Sequence, residues 1–201
     1  EGDTFEVTAT DTGPDRVNLE LRRPGGMVHY RGTIEYAGAA TLAPKAPKPG
    51  PLARYPHGTE EIYNRLLFHG PEFQVIRHVN GVSDMAAAAE LDGVDTAGWP
   101  ETPWATDPAA FDGGLQLALL WTRHHTQSAS LPTRIDAYVP YGAPAAGPVT
   151  CVLRGRKAGS RNAVSDLSFI DRNGSVFAEL RGVETHTLPG GSYPTRVAVA
   201  K

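Results

Sequence analysis

The chain has 201 residues, 40% of them apolar, enough for one domain with a core or two small sub-domains sharing a sheet. Nineteen Lys and Arg against 22 Asp and Glu give a formal charge of -3, which leaves no basic excess for a general nucleic-acid binder. The single cysteine, Cys151, excludes an internal disulfide framework or a multi-thiolate site, and no apolar run reaches the roughly 20 residues of a membrane helix.

The opening Glu1-Gly2-Asp3-Thr4 shows no basic segment followed by an apolar one, so no signal peptide is visible and a soluble, cytoplasmic protein is expected. With 22 Gly and 17 Pro, the composition favours many short strands over a helical bundle. Phe5–Thr10, Val17–Leu21 and Met27–Tyr36 alternate apolar and polar residues around the turns Asp11–Asp15 and Pro24–Gly26. They predict an antiparallel meander with one buried face, which needs a further layer to cover it. Ala43–Pro51 carries a proline every two or three residues and reads as an extended linker. Thr59–Phe68 has Ile62, Leu66 and Leu67 at helical spacing, with Thr59 as N-cap, and ends at His69-Gly70-Pro71. Phe73–Val82 and Met85–Leu91 read as strands, with a turn placed at Asn80-Gly81. Asp92–Thr106 is a loop holding Trp99 and Trp104.

The strongest helix signal follows. Asp107 is a natural N-cap and Pro108 suits the first helical position, where a missing N–H costs nothing. Phe111, Leu115 and Leu117–Trp121 make the helix apolar nearly all round, so it is buried on most sides, and it ends near Arg123-His124-His125. Thr133–Val139, Val149–Gly155, Ala163–Ile170 and Ser175–Val183 are strands, the last two joined by a hairpin turn at Asp171–Gly174. One buried helix among these strands predicts an α+β fold, a sheet wrapped around a helix.

On that helix Asp112 and Gln116 lie four residues apart and share a face. Gly113 and Gly114 between them cost about 1 kcal/mol each in a helix interior, so a ligand or neighbouring backbone must approach closely there. A carboxyl group kept protonated in an apolar slot serves as a general acid. Against this stands the commoner arrangement, a solvated acid that complements the helix N-terminus. His69 sits at a corner between helix and strand, where its ring faces either a pocket or the core. Other signals point to structure: Cys151 to the core of a strand, the adjacent His124-His125 pair to a helix end rather than a metal site, and the Trp99/Trp104 loop to anchorage. No G-x-S-x-G elbow is present.

Two segments together resemble a known family. Leu67–Gln74 is similar to the Y-G-P-x-F region of polyketide synthase dehydratase domains, in an H-G-P-x-F-Q form. Asp112-Gly113-Gly114-Leu115-Gln116 matches that family's D-x-x-x-Q motif, about 40 residues on, and Ser165–Gly174 followed by Val176 resembles its late hairpin. The resemblance covers 56–188 well and 1–37 only as generic strands. It implies a double hotdog: 1–37 the last strands of the first hotdog, 38–56 the linker, 57–189 the second hotdog, and 190–201 a tail or link to a following domain. It implies a source in a bacterial type I synthase, modular or iterative.

The resemblance further implies elimination of water from a β-hydroxyacyl chain on an acyl carrier protein, without cofactor or metal. Asp112 is then the acid and Gln116 its orienting neighbour. His69, Gly70, Pro71 and Phe73 bind substrate, with His69 in place of the family's Tyr. Partners would be the carrier protein, neighbouring synthase domains and a second copy in a homodimer. The family's base lies in H-x-x-x-G-x-x-x-x-P. Neither His29 nor His57 has Gly four residues on, and His186 has Gly190 but meets Pro194 one position early. The base is therefore expected outside these residues. Two alternatives keep the same fold: product-template-like control of cyclisation, and a catalytically silent module that binds the growing chain or scaffolds the synthase.

Overall fold

The computed structural model describes residues 4–36, 41–100, 104–143 and 146–193. Residues 1–3 and 37 of the expected first strands, 38–40 of the expected linker, 101–103 of the expected tryptophan loop and 194–201 of the expected tail lie outside them. The chain divides between Leu42 and Ala43 into two units.

The first unit is the predicted meander. Strands β1 (Glu6–Gly13), β2 (Arg16–Arg22) and β3 (Val28–Glu35) pair antiparallel in chain order. Gly25, at a positive φ of 63°, lets the chain reverse after Arg23. The expected buried face is not found: β1 is exposed along its length, and Val7, Tyr30 and Ile34 are all exposed. Three strands contain no second layer to cover their own apolar face.

The first regular element of the second unit is helix α1 (Thr59–Glu61), which widens into a π-turn over Ile62–Leu66, closed by the Leu67 N–H on the Ile62 carbonyl at 2.8 Å. Gly58, not Thr59, is the N-cap; the Thr59 hydroxyl instead donates to the Arg77 carbonyl at 2.9 Å. A 3-10 turn, Pro71–Phe73, precedes β4 (Ile76–Ser83), so the strand begins three residues later than the apolar pattern suggests. Strand β5 (Ala86–Leu91) follows across Asp84-Met85, since Ser83 pairs with Ala86. Asn80-Gly81 therefore lies inside β4, not at a turn. Gly81 marks a bulge where the chain at Ala53 bridges to Val82, and a Cβ there would stand 2.6 Å from the Ala53 carbonyl oxygen.

Helix α2 (Pro108–Thr126) is followed by β6 (Ser130–Arg134), β7 (Ala137–Pro140), β8 (Val149–Ala158), β9 (Asn162–Ile170) and β10 (Val176–Thr187). The single strand predicted over Thr133–Val139 is thus two, broken at Ile135-Asp136. The sheet runs β4-β5-β8-β9-β10-β6, with β7 also on β10, and every pairing is antiparallel. Sheet around helix is the hotdog arrangement expected.

Leu117, Leu120 and Trp121 of α2 pack with Leu153, Leu167 and Phe169 of the sheet in one core. Only His124 of α2 is exposed. The two helix glycines serve this packing rather than a ligand: a Cβ on Gly114 would lie 2.6 Å from Phe169 Cζ, and one on Gly113 would lie 3.0 Å from Leu91 Cδ1. On the opposite sheet face Ala88, Val152, Ile170 and Val176 form a smaller cluster, covered by Ala46 and Leu52 of the proline-rich segment. Among the described residues no helix is long and apolar enough to cross a membrane.

Candidate active site

Helix α2 presents Asp112 and Gln116 one turn apart, as their spacing requires. Gln116 is fully buried, while the Asp112 side chain is 30% exposed, so the carboxyl stands at the edge of the core rather than sealed inside it. Gln116 Nε2 donates to Asp112 Oδ2 at 2.6 Å and to the Phe73 carbonyl at 2.7 Å. One amide therefore ties the acid to the turn that follows His69-Gly70.

That turn is built by its own residues. Pro71 opens it, and the Phe73 N–H reaches the Gly70 carbonyl at 3.0 Å. The His69 side chain is only 10% exposed, stacks on Phe68 at 4.4 Å between ring centroids, and brings Nε2 within 3.9 Å of Asp112 Oδ2. Asp112, Gln116, His69 and the Phe73 backbone thus meet at one place. The Phe73 ring itself is exposed and packs edge-on against Trp99, while Gly70 has an ordinary φ of -68° and open space around it.

Tyr63 belongs to the same cluster and was not among the residues singled out from the sequence. Its hydroxyl donates to Gln116 Oε1 at 2.7 Å and accepts the Ile76 N–H at 2.6 Å. Burial pushes this phenol far above its ordinary pKa, so it remains a donor. A signal existed: Tyr63 falls in the same apolar helical stretch as Ile62 and Leu66, and a buried tyrosine hydroxyl needs a partner. Tyr63 is buried together with Ile62 and Leu66 in the π-turn.

Beside the cluster lies a cavity of about 710 Å³ walled by Trp99, Trp104, Phe111, Tyr138, Pro140 and Phe177. Asp112 does not line it, but its neighbour Phe111 does, and Trp99 reaches it from the Phe73 turn. Both loop tryptophans combine lining with anchorage: Trp99 Nε1 donates to the Glu72 carbonyl at 2.8 Å and Trp104 Nε1 to that of Pro100 at 3.2 Å. Elsewhere Cys151 is fully buried in β8, and burial pushes its thiol well up, as a core residue rather than a nucleophile.

Over residues 40–193 the chain matches the family described as "Polyketide synthase dehydratase N-terminal domain". Nothing among curated proteins matches it. Among solved structures it is similar to the dehydratase domain from the CurF module of curacin polyketide synthase, with 17% identity and a TM-score of 0.76 over 93% of this chain and 69% of that one. It is also similar to the dehydratase domain of a mycocerosic acid synthase-like polyketide synthase, at 18% identity and a TM-score of 0.74 over 91% and 67% of the two chains. The dehydratase domain of PpsC from Mycobacterium tuberculosis, solved in complex with C12:1-CoA, gives 23% identity and a TM-score of 0.68 over 93% and 69%. At these identities the likenesses show the fold.

Proposed function

The chain belongs to the polyketide synthase dehydratase family, and on that premise we propose that it eliminates water from a β-hydroxyacyl thioester carried by an acyl carrier protein. Asp112 is the acid. The observation that carries this reading is the hold on its carboxyl: one oxygen engaged by Gln116, on a buried helix, beside the His69-Gly70-Pro71 turn.

In this reaction a histidine base outside these residues takes the proton from Cα. The electron pair forms the Cα–Cβ double bond, and the Cβ–O bond breaks. The departing hydroxyl takes the Asp112 proton and leaves as water, with Asp112 left as carboxylate. Gln116 Nε2–H then stabilises that carboxylate, since a donor favours the charged acceptor. Loss of the proton from one group and its gain by the other leave the site neutral overall, and transfer back through solvent restores it. His69, Gly70, Pro71 and Phe73 form the wall on which the thioester lies.

We place 57–189 as the second hotdog, with 1–37 as closing strands of the first. The matched family's description speaks of an N-terminal domain; the placement rests instead on the D-x-x-x-Q helix and on the separate three-stranded sheet ahead of the proline-rich segment. By the same reading the chain works in the cytoplasm of a bacterium, within a dimeric type I synthase and among its neighbouring domains.

The test is enoyl thioester formation by the intact synthase module from a β-hydroxyacyl thioester. Asp112→Asn is expected to slow elimination by about 10²–10⁴, the usual worth of a general acid. Equal product from both proteins overturns the assignment.

A further inference from the structure

Resting on the reading of Asp112 as the acid, we propose that Tyr63 is a positioning residue that fixes the Gln116 carboxamide and so selects which oxygen of Asp112 carries the transferable proton. Every polar atom of the chain of contacts has one consistent role. The Ile76 N–H can only donate, so the Tyr63 oxygen accepts from it at 2.6 Å. The remaining Tyr63 O–H points at Gln116 at 2.7 Å and requires an acceptor there, which identifies that atom as Oε1. The other end of the amide is then Nε2, and its two hydrogens meet two acceptors, the Phe73 carbonyl at 2.7 Å and Asp112 Oδ2 at 2.6 Å.

Rotating the amide by half a turn would set Oε1 against two oxygens and leave the Tyr63 hydroxyl without an acceptor. In a fully buried residue neither is tolerated. The orientation is thus clamped from both ends, by Phe73 and by Tyr63.

The consequence falls on the acid. Oδ2 receives an N–H, and within a carboxylic acid the carbonyl oxygen is the better acceptor. In the acid form that this reading requires, the proton is therefore placed on Oδ1, the oxygen left for the departing hydroxyl. Tyr63 touches neither substrate nor Asp112; it acts through Gln116. It also ties the start of β4 to helix α2, so any looseness in the Tyr63 segment passes directly into the aim of the acid.

The experiment uses the intact synthase module with Tyr63→Phe, Gln116→Ala and the double variant. Tyr63→Phe is expected to lower kcat about tenfold, the worth of one lost hydrogen bond in the transition state, with KM little changed. Added to Gln116→Ala, it is expected to lower kcat no further, although its melting temperature still falls. Side-chain amide NMR of the unmodified protein gives a readout independent of turnover: the Gln116 Nε2 protons are expected to be protected from exchange, and to lose that protection in Tyr63→Phe. Multiplying losses of kcat in the double variant, unchanged kcat in Tyr63→Phe, or freely exchanging Gln116 protons in the unmodified protein each overturn the proposal. If instead Asp112→Asn leaves turnover intact, the acid assignment falls by itself, and the amide exchange still decides whether Tyr63 holds Gln116.

Discussion

Asp107 shows how far a single residue could be read in advance. Its place before Pro108 marked it as the N-cap, and it accepts the Ala110 N–H at 2.9 Å. Invisible in the sequence was its second task, accepting the Val94 N–H at 3.1 Å and so pinning the tryptophan loop to the helix start. Burial raises its carboxyl above the ordinary 3.8, against the opposing pull of these N–H groups. For an acid raised on folding, the unfolded chain gives up its proton first. Stability from this group is full below about pH 3.8 and is lost as pH rises through the raised value. Asp107→Asn keeps the cap but cannot titrate. Its melting temperature relative to the unmodified protein is therefore expected to climb as pH rises from below 3.8 toward neutrality; a constant difference would refute this. Asp107→Ala, which strands both N–H groups, is expected to cost about 1 kcal/mol or more at any pH. The candidate cluster was legible to a similar degree: the spacing of Asp112 and Gln116 puts them on one face, where they hydrogen-bond at 2.6 Å, and His69 lies beside them at its corner. Tyr63 was not, because its role depends on a partner 53 positions away.

At the scale of elements, α2 was readable because its cap, its first-turn proline and its apolar faces all agree. The segment before it was less so. Helical spacing over Thr59–Phe68 contains nothing that separates an α-turn from a π-turn, and Asn80-Gly81 carries a turn signal that tertiary approach at Ala53 reuses for a bulge. The glycine pair in α2 shows the same limit. Composition indicated that something comes close but not what, and the answer is the sheet's own side chains. The two positions separate on substitution. Alanine in either recovers about 1 kcal/mol of helix propensity. At Gly114 the new methyl strikes the buried Phe169 ring, an overpacking that costs about 1–3 kcal/mol, so after the propensity gain Gly114→Ala is expected to lose up to about 2 kcal/mol. At Gly113 it meets the ends of Leu91 and Val75, which give way by a few tenths of an ångström, so Gly113→Ala is expected to lie near neutral. Urea denaturation of the two variants checks the order, and equal midpoints would show that ring contact does not govern α2 packing.

For the whole molecule, the sequence marks two sheets and a proline-rich segment between them, but not where one unit ends. Proline spacing suggests a free linker, whereas residues from Ala43 onward join the second unit: Ala53 exchanges two 2.9 Å backbone hydrogen bonds with Val82, and Ala46 and Leu52 cover the outer apolar cluster. Covering an apolar face needs only small and aliphatic side chains at intervals, a pattern that extended linkers share, so composition alone does not separate the two. The two sheets share no strand, and the second has its own core around α2. Residues 43–201 are therefore expected to fold cooperatively alone, with dispersed amide resonances and one unfolding transition. A fragment starting at Thr59 would uncover Ala88, Val152, Ile170 and Val176 and melt at a lower temperature. Residues 1–42, whose strand β1 is exposed throughout, are expected to show no cooperative transition, because three strands without a packed face do not repay their ordering entropy. A 43–201 fragment that remains unfolded, or a Thr59 start that melts no lower, would show that the unit boundary is not set by the packing of the proline-rich segment.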